Sequence, residues 1–199
     1  MIDNTSVNFF DTQFQRQIQQ QEFALNQFEQ TALEFITGDV LDLGCGLGNL
    51  SVEMALRGHS VVAVDASQSA IEHIAKIATE KHLPIETIKA DLATFHIPQK
   101  FDSIVAIGLL MFFPKTRALE MLSDIQSNVL PGGVAVINVL TAGTDYTAMF
   151  HPGHYYLFTR EELEKHFNGW KIRFRAEHTF PAPDNTKKEF ITIVAEKLA

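Results

Sequence analysis

Three glycines at alternate positions, Gly44, Gly46 and Gly48, follow the run Val40-Leu41-Asp42-Leu43 and precede an apolar stretch from Leu50 to Leu56. Glycines so spaced let the chain turn sharply and let a ligand approach the backbone. A helix opening just after them offers free N–H groups. Two more acids close short apolar runs: Asp65 ends Val61-Val62-Ala63-Val64, and Asp91 ends the run from Ile85 to Ala90. At the carboxyl edge of a parallel sheet, Asp65 can accept two hydrogen bonds from a ribose diol, and Asp91 can accept from an adenine amino group. Asp42 lies two residues before the first glycine. A carboxylate there repels a pyrophosphate but suits an ammonium group or the loop's own N–H groups. The spacing is G-x-G-x-G, with Asn49 and Leu50 where dinucleotide sites carry their third glycine. A cationic ligand with an amino-acid tail, a ribose and an adenine meets all three acids, and S-adenosylmethionine is such a ligand.

These residues need a scaffold to converge. Val40–Leu43, Val61–Val64, Ile85–Lys89, Phe101–Ile107 and Val134–Leu140 read as strands, with Pro131-Gly132-Gly133 as a tight turn before the last. Helices are predicted from Leu50 to Leu56 (ended by Gly58), over 68–82 behind an N-cap at Ser67, and from Pro114 to about Asn128. This β-α-β-α-β-loop-β-α-β order predicts an α/β fold, a parallel sheet with helices on both faces. Upstream, glutamines from Gln13 to Gln30 alternate with Phe14, Ile18, Phe23, Leu25 and Phe28, which predicts one or two amphipathic helices. Downstream, 141–158 reads as a long loop, and Thr159-Arg160-Glu161-Glu162 as a capping box opening a helix to about Phe167. Trp170–Phe174 and Phe190–Val194 read as a long antiparallel hairpin. Neither a repeat nor a linker divides the chain. The expected organisation is one domain over 1–199: a helical cap over 1–37, a cofactor-binding core over 38–140, and a substrate-side loop, helix and hairpin over 141–199.

Composition narrows the function classes. The 199 residues carry 24 acidic and 16 basic side chains, net −8, with 46% apolar and 20% charged residues. That describes an ordinary globular chain. The acidic balance argues against a nucleic-acid partner, because phosphate binding needs a basic surface. The single cysteine, Cys45, excludes an internal disulfide and any Cys-based zinc or iron–sulfur cluster made by one chain. No apolar run reaches a membrane span. Met1-Ile2-Asp3-Asn4 lacks the basic and apolar regions of a secretory leader, so a cytoplasmic location is expected.

Leu41-Asp42-Leu43-Gly44-Cys45-Gly46-Leu47-Gly48 resembles the cofactor loop of class I S-adenosylmethionine-dependent methyltransferases. Val64-Asp65-Ala66-Ser67, Ala90-Asp91-Leu92, Phe101-Asp102 and Leu130-Pro131-Gly132-Gly133 resemble that family's later motifs in order, over about residues 38–140. The resemblance implies a Rossmann-like sheet of seven strands, mostly parallel, with the last strand antiparallel. It assigns Asp65 to the ribose, Asp91 to the adenine, and Asp42, Gly44 and Gly46 to the methionine tail, with Gly108 near the sulfonium. The predicted cofactor site then extends to Leu43, Cys45, Gly48 and Asn49 in the loop. It takes Ala66 and Ser67 after the second strand, Leu92 after the third, Ile107 and Met111 around the fourth, and Phe14 from the N-terminal helices. Leu110-Met111-Phe112 and the stretch from Phe158 to Trp170 resemble the tellurite-resistance type of small methyltransferase, a group similar to thiol and chalcogen methyltransferases.

Methyl transfer from a sulfonium is an in-line displacement, so positioning and water exclusion supply most of the rate. A soft nucleophile needs no general base, whereas a hydroxyl or amine calls for proton removal. His178, Tyr155 and His154 are the candidate catalytic groups, with His151, Tyr156 and Tyr146 nearby in sequence. The competing reading makes each an ordinary loop, strand or packing residue. The proposed substrate site of the narrower group pairs a histidine with a following arginine. Here Thr179 follows His178, and Lys187 and Lys188 could supply the positive charge. His151 and His154, three apart without a third ligand, do not predict a metal site. Cys45 reads as a small spacer between glycines. Phe9, Phe10 and Phe14 either pack on the sheet edge or cap the cofactor as a lid. The expectation is a methyltransferase acting on a small molecule, a thiol or chalcogen oxyanion among the candidates, as a monomer or homodimer. Its rivals are a nucleic-acid or protein methyltransferase and a non-catalytic S-adenosylmethionine-binding protein.

Overall fold

A computed structural model describes residues 5–199, with side chains from Phe10 onward. Residues 1–4, on which the expectation of no secretory leader rests, and the Phe9 side chain lie outside the described residues. Two helices come first, α1 (Thr5–Gln20) and α2 (Gln27–Leu33). Asn26 caps α2: its side chain accepts from the N–H groups of Phe28 and Glu29, while Glu29 Oε2 accepts from the Asn26 N–H at 2.7 Å. That reciprocal pair is a capping box. Strand β1 (Val40–Leu43) is buried throughout and feeds α3 (Asn49–Leu56). Then come β2 (Val61–Asp65), α4 (Gln68–Lys81, capped by Ser67), β3 (Ile85–Lys89) and β4 (Phe101–Ile107). A single 3₁₀ turn at Leu110–Phe112 precedes α5 (Lys115–Asn128) and β5 (Val129–Leu140). The chain ends with α6 (Arg160–His166), β6 (Trp170–Pro181) and β7 (Lys187–Lys197).

The seven strands form one sheet in the order β3-β2-β1-β4-β5-β7-β6. Strands β1 to β5 are mutually parallel, and β7 is antiparallel to both β5 and β6. Alternating side chains bury both faces. Leu41, Leu43, Ile104 and Ile137 meet Leu122 and Ile125 of α5 on one face. Val40, Val105 and Val136 meet Leu33 of α2 and Met54 of α3 on the other. The chain leaves β1 toward β2 and β3, then returns to β4 on the opposite side of β1. Such a reversal opens a crevice at the carboxyl ends of β1 and β4.

The Rossmann-like arrangement expected from the sequence is present, with three local differences. Pro131-Gly132-Gly133 is a bulge inside β5 rather than a turn before it: Phe101 pairs with Val129 and Ser103 with Val134. The cause is close approach, since a Cβ on Gly133 would lie 2.4 Å from the Asp102 carbonyl oxygen. The box at Thr159 is half made. Thr159 accepts from the Glu162 N–H at 3.1 Å. The Glu162 carboxylate is taken by the Tyr156 hydroxyl and by Lys115 at 3.3 Å. The terminal hairpin is longer than its apolar alternation, running from Trp170 to Pro181 and back from Lys187.

Gly48 holds the loop–α3 junction at φ +72°, and a Cβ there would lie 2.5 Å from Ile74 Cγ1. Gly58 has φ +95° and open space around it. Gly48→Ala should therefore cost about 3 kcal/mol, combining left-handed strain with overpacking, against about 1 kcal/mol for Gly58→Ala. Denaturant unfolding of the two variants checks the ranking.

Candidate functional site

The glycine loop is held by backbone bonds before any ligand is considered. The Gly44 and Cys45 N–H groups both donate to the Val64 carbonyl, at 2.8 and 3.1 Å, and the Gly48 N–H donates to the Cys45 carbonyl at 2.9 Å. Asp65 completes the tie: Oδ2 accepts from the Gly46 N–H at 2.9 Å and Oδ1 from the Ser67 N–H at 2.8 Å. Asp91 Oδ1 accepts from the Ala93 N–H at 2.9 Å, fixing the turn after β3.

A cavity of about 520 Å³ opens at the crevice between β1 and β4. That volume suits a cofactor-sized ligand. Of the predicted cofactor residues, Asp42, Gly44, Cys45, Gly46, Gly48 and Asn49 line it from the loop side. Asp65, Ala66, Ser67, Asp91 and Leu92 line it beyond β2 and β3, and Ile107, Gly108 and Met111 beyond β4. Phe14 closes it from α1, where a Cβ on Gly46 would lie 3.2 Å from the ring. Leu43 is the exception. It is buried on the α5 side of β1, because strand alternation turns Leu41 and Leu43 away from the face that Asp42 occupies.

The cavity is acid-rich. Asp42 is buried and accepts from Ser51 Oγ at 2.6 Å. Burial pushes its carboxyl up to about 7, partly offset by Ser51 and reinforced by the charges of Glu29 and Asp65. Burial also raises Asp65, against three backbone N–H groups, and raises Glu29, against the Asn26 N–H. Burial, then Asp42 and Asp65, push the Cys45 thiol well above its ordinary value, which keeps it a neutral spacer. An environment that resists carboxylate ionisation favours a cation when one is supplied.

The three candidate catalytic groups do not line the cavity. His178 is on β6, opposite Phe190, with its ring 5.6 Å from that of Phe28, and Phe28 and Phe190 stand between it and the space. Tyr155 stacks on Phe150 at 4.6 Å behind the wall. His154 is exposed in the loop with its ring 4.7 Å from His151, and no group of three metal-binding side chains occurs among the described residues. The separation of His178 from the space follows from α2, which places Phe28 against it.

Several lining groups were not singled out by type and spacing. Glu29 and Asn26 come from α2, and the N-x-x-E pattern that caps the helix was the available signal. Asn138 is the polar residue interrupting the apolar run of β5. Of the two lysines named as possible sources of positive charge, Lys188 lines the cavity from β7 and Lys187 does not. Asp11 fixes α1 over the site: Ser67 Oγ and Ser69 Oγ donate to it, the latter at 3.0 Å. From there Phe14, Phe10, Phe112 and Phe150 form a chain of ring contacts at 5.9, 5.1 and 5.1 Å.

The family model described as "Tellurite resistance protein TehB" matches residues 11–179. An Eikenella corrodens protein described as "Hemagglutinin 1" is 28% identical over 163 residues, covering 79% of this chain and 54% of that protein. A Haemophilus influenzae protein described as "Probable S-adenosyl-L-methionine-dependent methyltransferase TehB" is 27% identical over 164 residues, covering 79% of this chain and 57% of that protein. The crystal structure of TehB from Haemophilus influenzae superposes with a TM-score of 0.74 at 25% identity, covering 87% of this chain and 63% of that one. The chain thus spans just over half the length of these curated relatives. No helix among the described residues is long and apolar enough to cross a membrane.

The Asp42 carboxyl also sets a pH dependence of stability. Its folded value of about 7 lies above the ordinary 3.8, so the protonated form stabilises the fold. That stability is complete below the unfolded value and is lost as pH rises through about 7. From about pH 5 to 7 the loss from this group should reach about 2 kcal/mol. Asp42→Asn should flatten the slope in denaturant titrations across that window, and an unchanged slope would assign it to another group.

Proposed function

The chain belongs to the tellurite resistance protein TehB family, and we propose that it is an S-adenosylmethionine-dependent methyltransferase acting on a small molecule. The observation that carries the reading is the convergence of Asp42, Asp65 and Asp91 on one cavity bounded by the glycine loop. The described name of the Haemophilus influenzae relative supports it. In this reading Asp65, already ordered by the Gly46 and Ser67 N–H groups, has lone pairs left for the ribose hydroxyls. Asp91 takes the adenine amino group between Ala66 and Leu92. Asp42 and Glu29 face the cationic end, and Gly108 allows close approach after β4. When bound, the cofactor supplies a methyl group on positively charged sulfur, already activated for displacement.

The chain's contribution is then positioning and exclusion of water. Phe14 and Phe10 cover the loop side, while Phe112 and Met149 wall the far side. The acceptor in this reading is a thiol or a chalcogen oxyanion, supported by the family's name and by the Lys188 cation on the cavity wall. The net charge of −8 speaks against a nucleic-acid acceptor. We further propose that the 199 residues act as one catalytic domain.

Calorimetry should show binding of S-adenosylhomocysteine and none of NAD, and Asp65→Ala should weaken binding by at least about tenfold through two lost hydrogen bonds. Because the ligand is cationic at its amino-acid end, binding favours ionised Asp42. Affinity should rise up to about tenfold from roughly pH 6 to 8 and stay flat in Asp42→Asn. Binding of NAD in preference would sink the reading. Deleting residues 1–20 should weaken cofactor affinity without lowering the melting temperature of the rest, and unchanged affinity would remove the lid role of α1.

A further inference from the structure

The turn after β3 carries Asp91 and Leu92 to the cavity, and it stands at the outer margin of the sheet. Strand β3 is an edge strand in which no residue is fully buried. Such elements open locally at low cost. The bonds within the turn are all short-range. The Thr94 and Phe95 N–H groups donate to the Asp91 carbonyl, both at 3.0 Å, and the Ala93 N–H donates to Asp91 Oδ1 at 2.9 Å. These bonds shape the turn but do not fix where it stands against the cavity.

Arg117 of α5 supplies a tie from outside. Its Nε and Nη2 donate to the Leu92 carbonyl at 3.2 and 2.9 Å, and Nη2 also donates to the Phe95 carbonyl. Nη1 lies 3.8 Å from Glu120, so each guanidinium nitrogen is committed. The Arg117 side chain is 11% exposed. Helix energetics do not account for this residue. Arg117 lies in the first turn of α5, where a cation opposes the helix macrodipole. The same helix holds the far end of the turn, because Asp124 Oδ2 accepts from the Ile97 N–H at 2.9 Å.

We propose that Arg117 is a positioning residue for adenine recognition, fixing the turn so that Asp91 and Leu92 present a preformed slot. The inference rests on the methyltransferase reading above and adds to it a residue that does not itself line the cavity. A planar guanidinium shared by two carbonyls holds both in one register, which a lysine ammonium does not. Asp91 is tied to the turn through Oδ1, so the direction of its carboxylate follows the turn. The Leu92 side chain follows its own carbonyl in the same way. Removing the guanidinium leaves two carbonyls without their donors and releases the turn. The loss is selective. The adenine amino group loses a fixed acceptor, while Asp65 and the glycine loop stay tied to each other.

Calorimetry tests this with S-adenosylhomocysteine and S-inosylhomocysteine, which carries an oxygen in place of the adenine amino group. The chains compared are wild type, Arg117→Met, Arg117→Lys, Asp91→Ala and the double variant of Arg117→Met with Asp91→Ala. Wild type should bind S-adenosylhomocysteine at least about tenfold more tightly than the inosyl analogue. Arg117→Met should weaken S-adenosylhomocysteine about tenfold and the analogue by no more than about twofold. Arg117→Lys keeps the cation and reaches one carbonyl, so its discrimination should fall between the two; it carries the same comparison if the Met variant does not fold. In the Asp91→Ala background, Arg117→Met should cost no more than about twofold further, because its effect runs through Asp91. Equal losses of both ligands in Arg117→Met, or additive losses in the double variant, would leave Arg117 a residue of the fold alone and overturn the proposal. Unchanged S-adenosylhomocysteine affinity in Arg117→Met overturns it too, as does a wild type that binds both ligands equally. A wild type that binds neither ligand instead removes the methyltransferase reading beneath it.

Discussion

The Asp65 carboxylate is the tie on which the crevice depends. One oxygen holds the Gly46 N–H and the other the Ser67 N–H. The glycine loop, the end of β2 and the start of α4 therefore share one side chain. Ser67 extends the tie in two directions. Its hydroxyl accepts from the Ala70 N–H to cap α4 and donates to Asp11 on α1. The position of the N-terminal helix over the cavity is thus set from the same point as the loop. The two donated N–H bonds also offset part of the cost of burying the carboxylate.

Asp42 exacts a stability cost that the core does not need. It is 4% exposed, and Glu29, which completes the cap of α2, lies close enough to repel it. An apolar residue in place of Asp42 would pack without desolvation. Perturbed carboxyls grouped in one cavity mark a site kept for chemistry rather than for stability. The aromatic chain from Phe14 to Tyr155 has the opposite character. It buries apolar surface, joins α1 to the 141–158 loop, and keeps water from the same cavity, so one set of contacts serves packing and exclusion together.

The glycine loop and its three acids were legible because their chemistry is local. Turn geometry, helix start and strand end are each determined within a few residues, and parallel topology brings the strand ends to one edge. The far wall was not legible in the same way. Whether His178 reaches the cavity depends on Phe28, 150 residues away in the chain, entering between them. The bulge at Pro131-Gly132-Gly133 depends on the carbonyl of Asp102 in another strand. Leu43 could have been excluded from the site by alternation alone, since Asp42 and its neighbours cannot share a face.

Asn138 shows why residue type and place must be read together. It interrupts an apolar run of β5 and is nonetheless 1% exposed. A carboxylate at that depth would join Asp42 and Glu29 in a cavity where each new acid is harder to ionise. An amide is neutral at every working pH, and its side chain is tied across the strand pair to Thr192 of β7. The polar side chain therefore joins two antiparallel strands without adding charge, and the charge of the cavity stays with the acids at the other end.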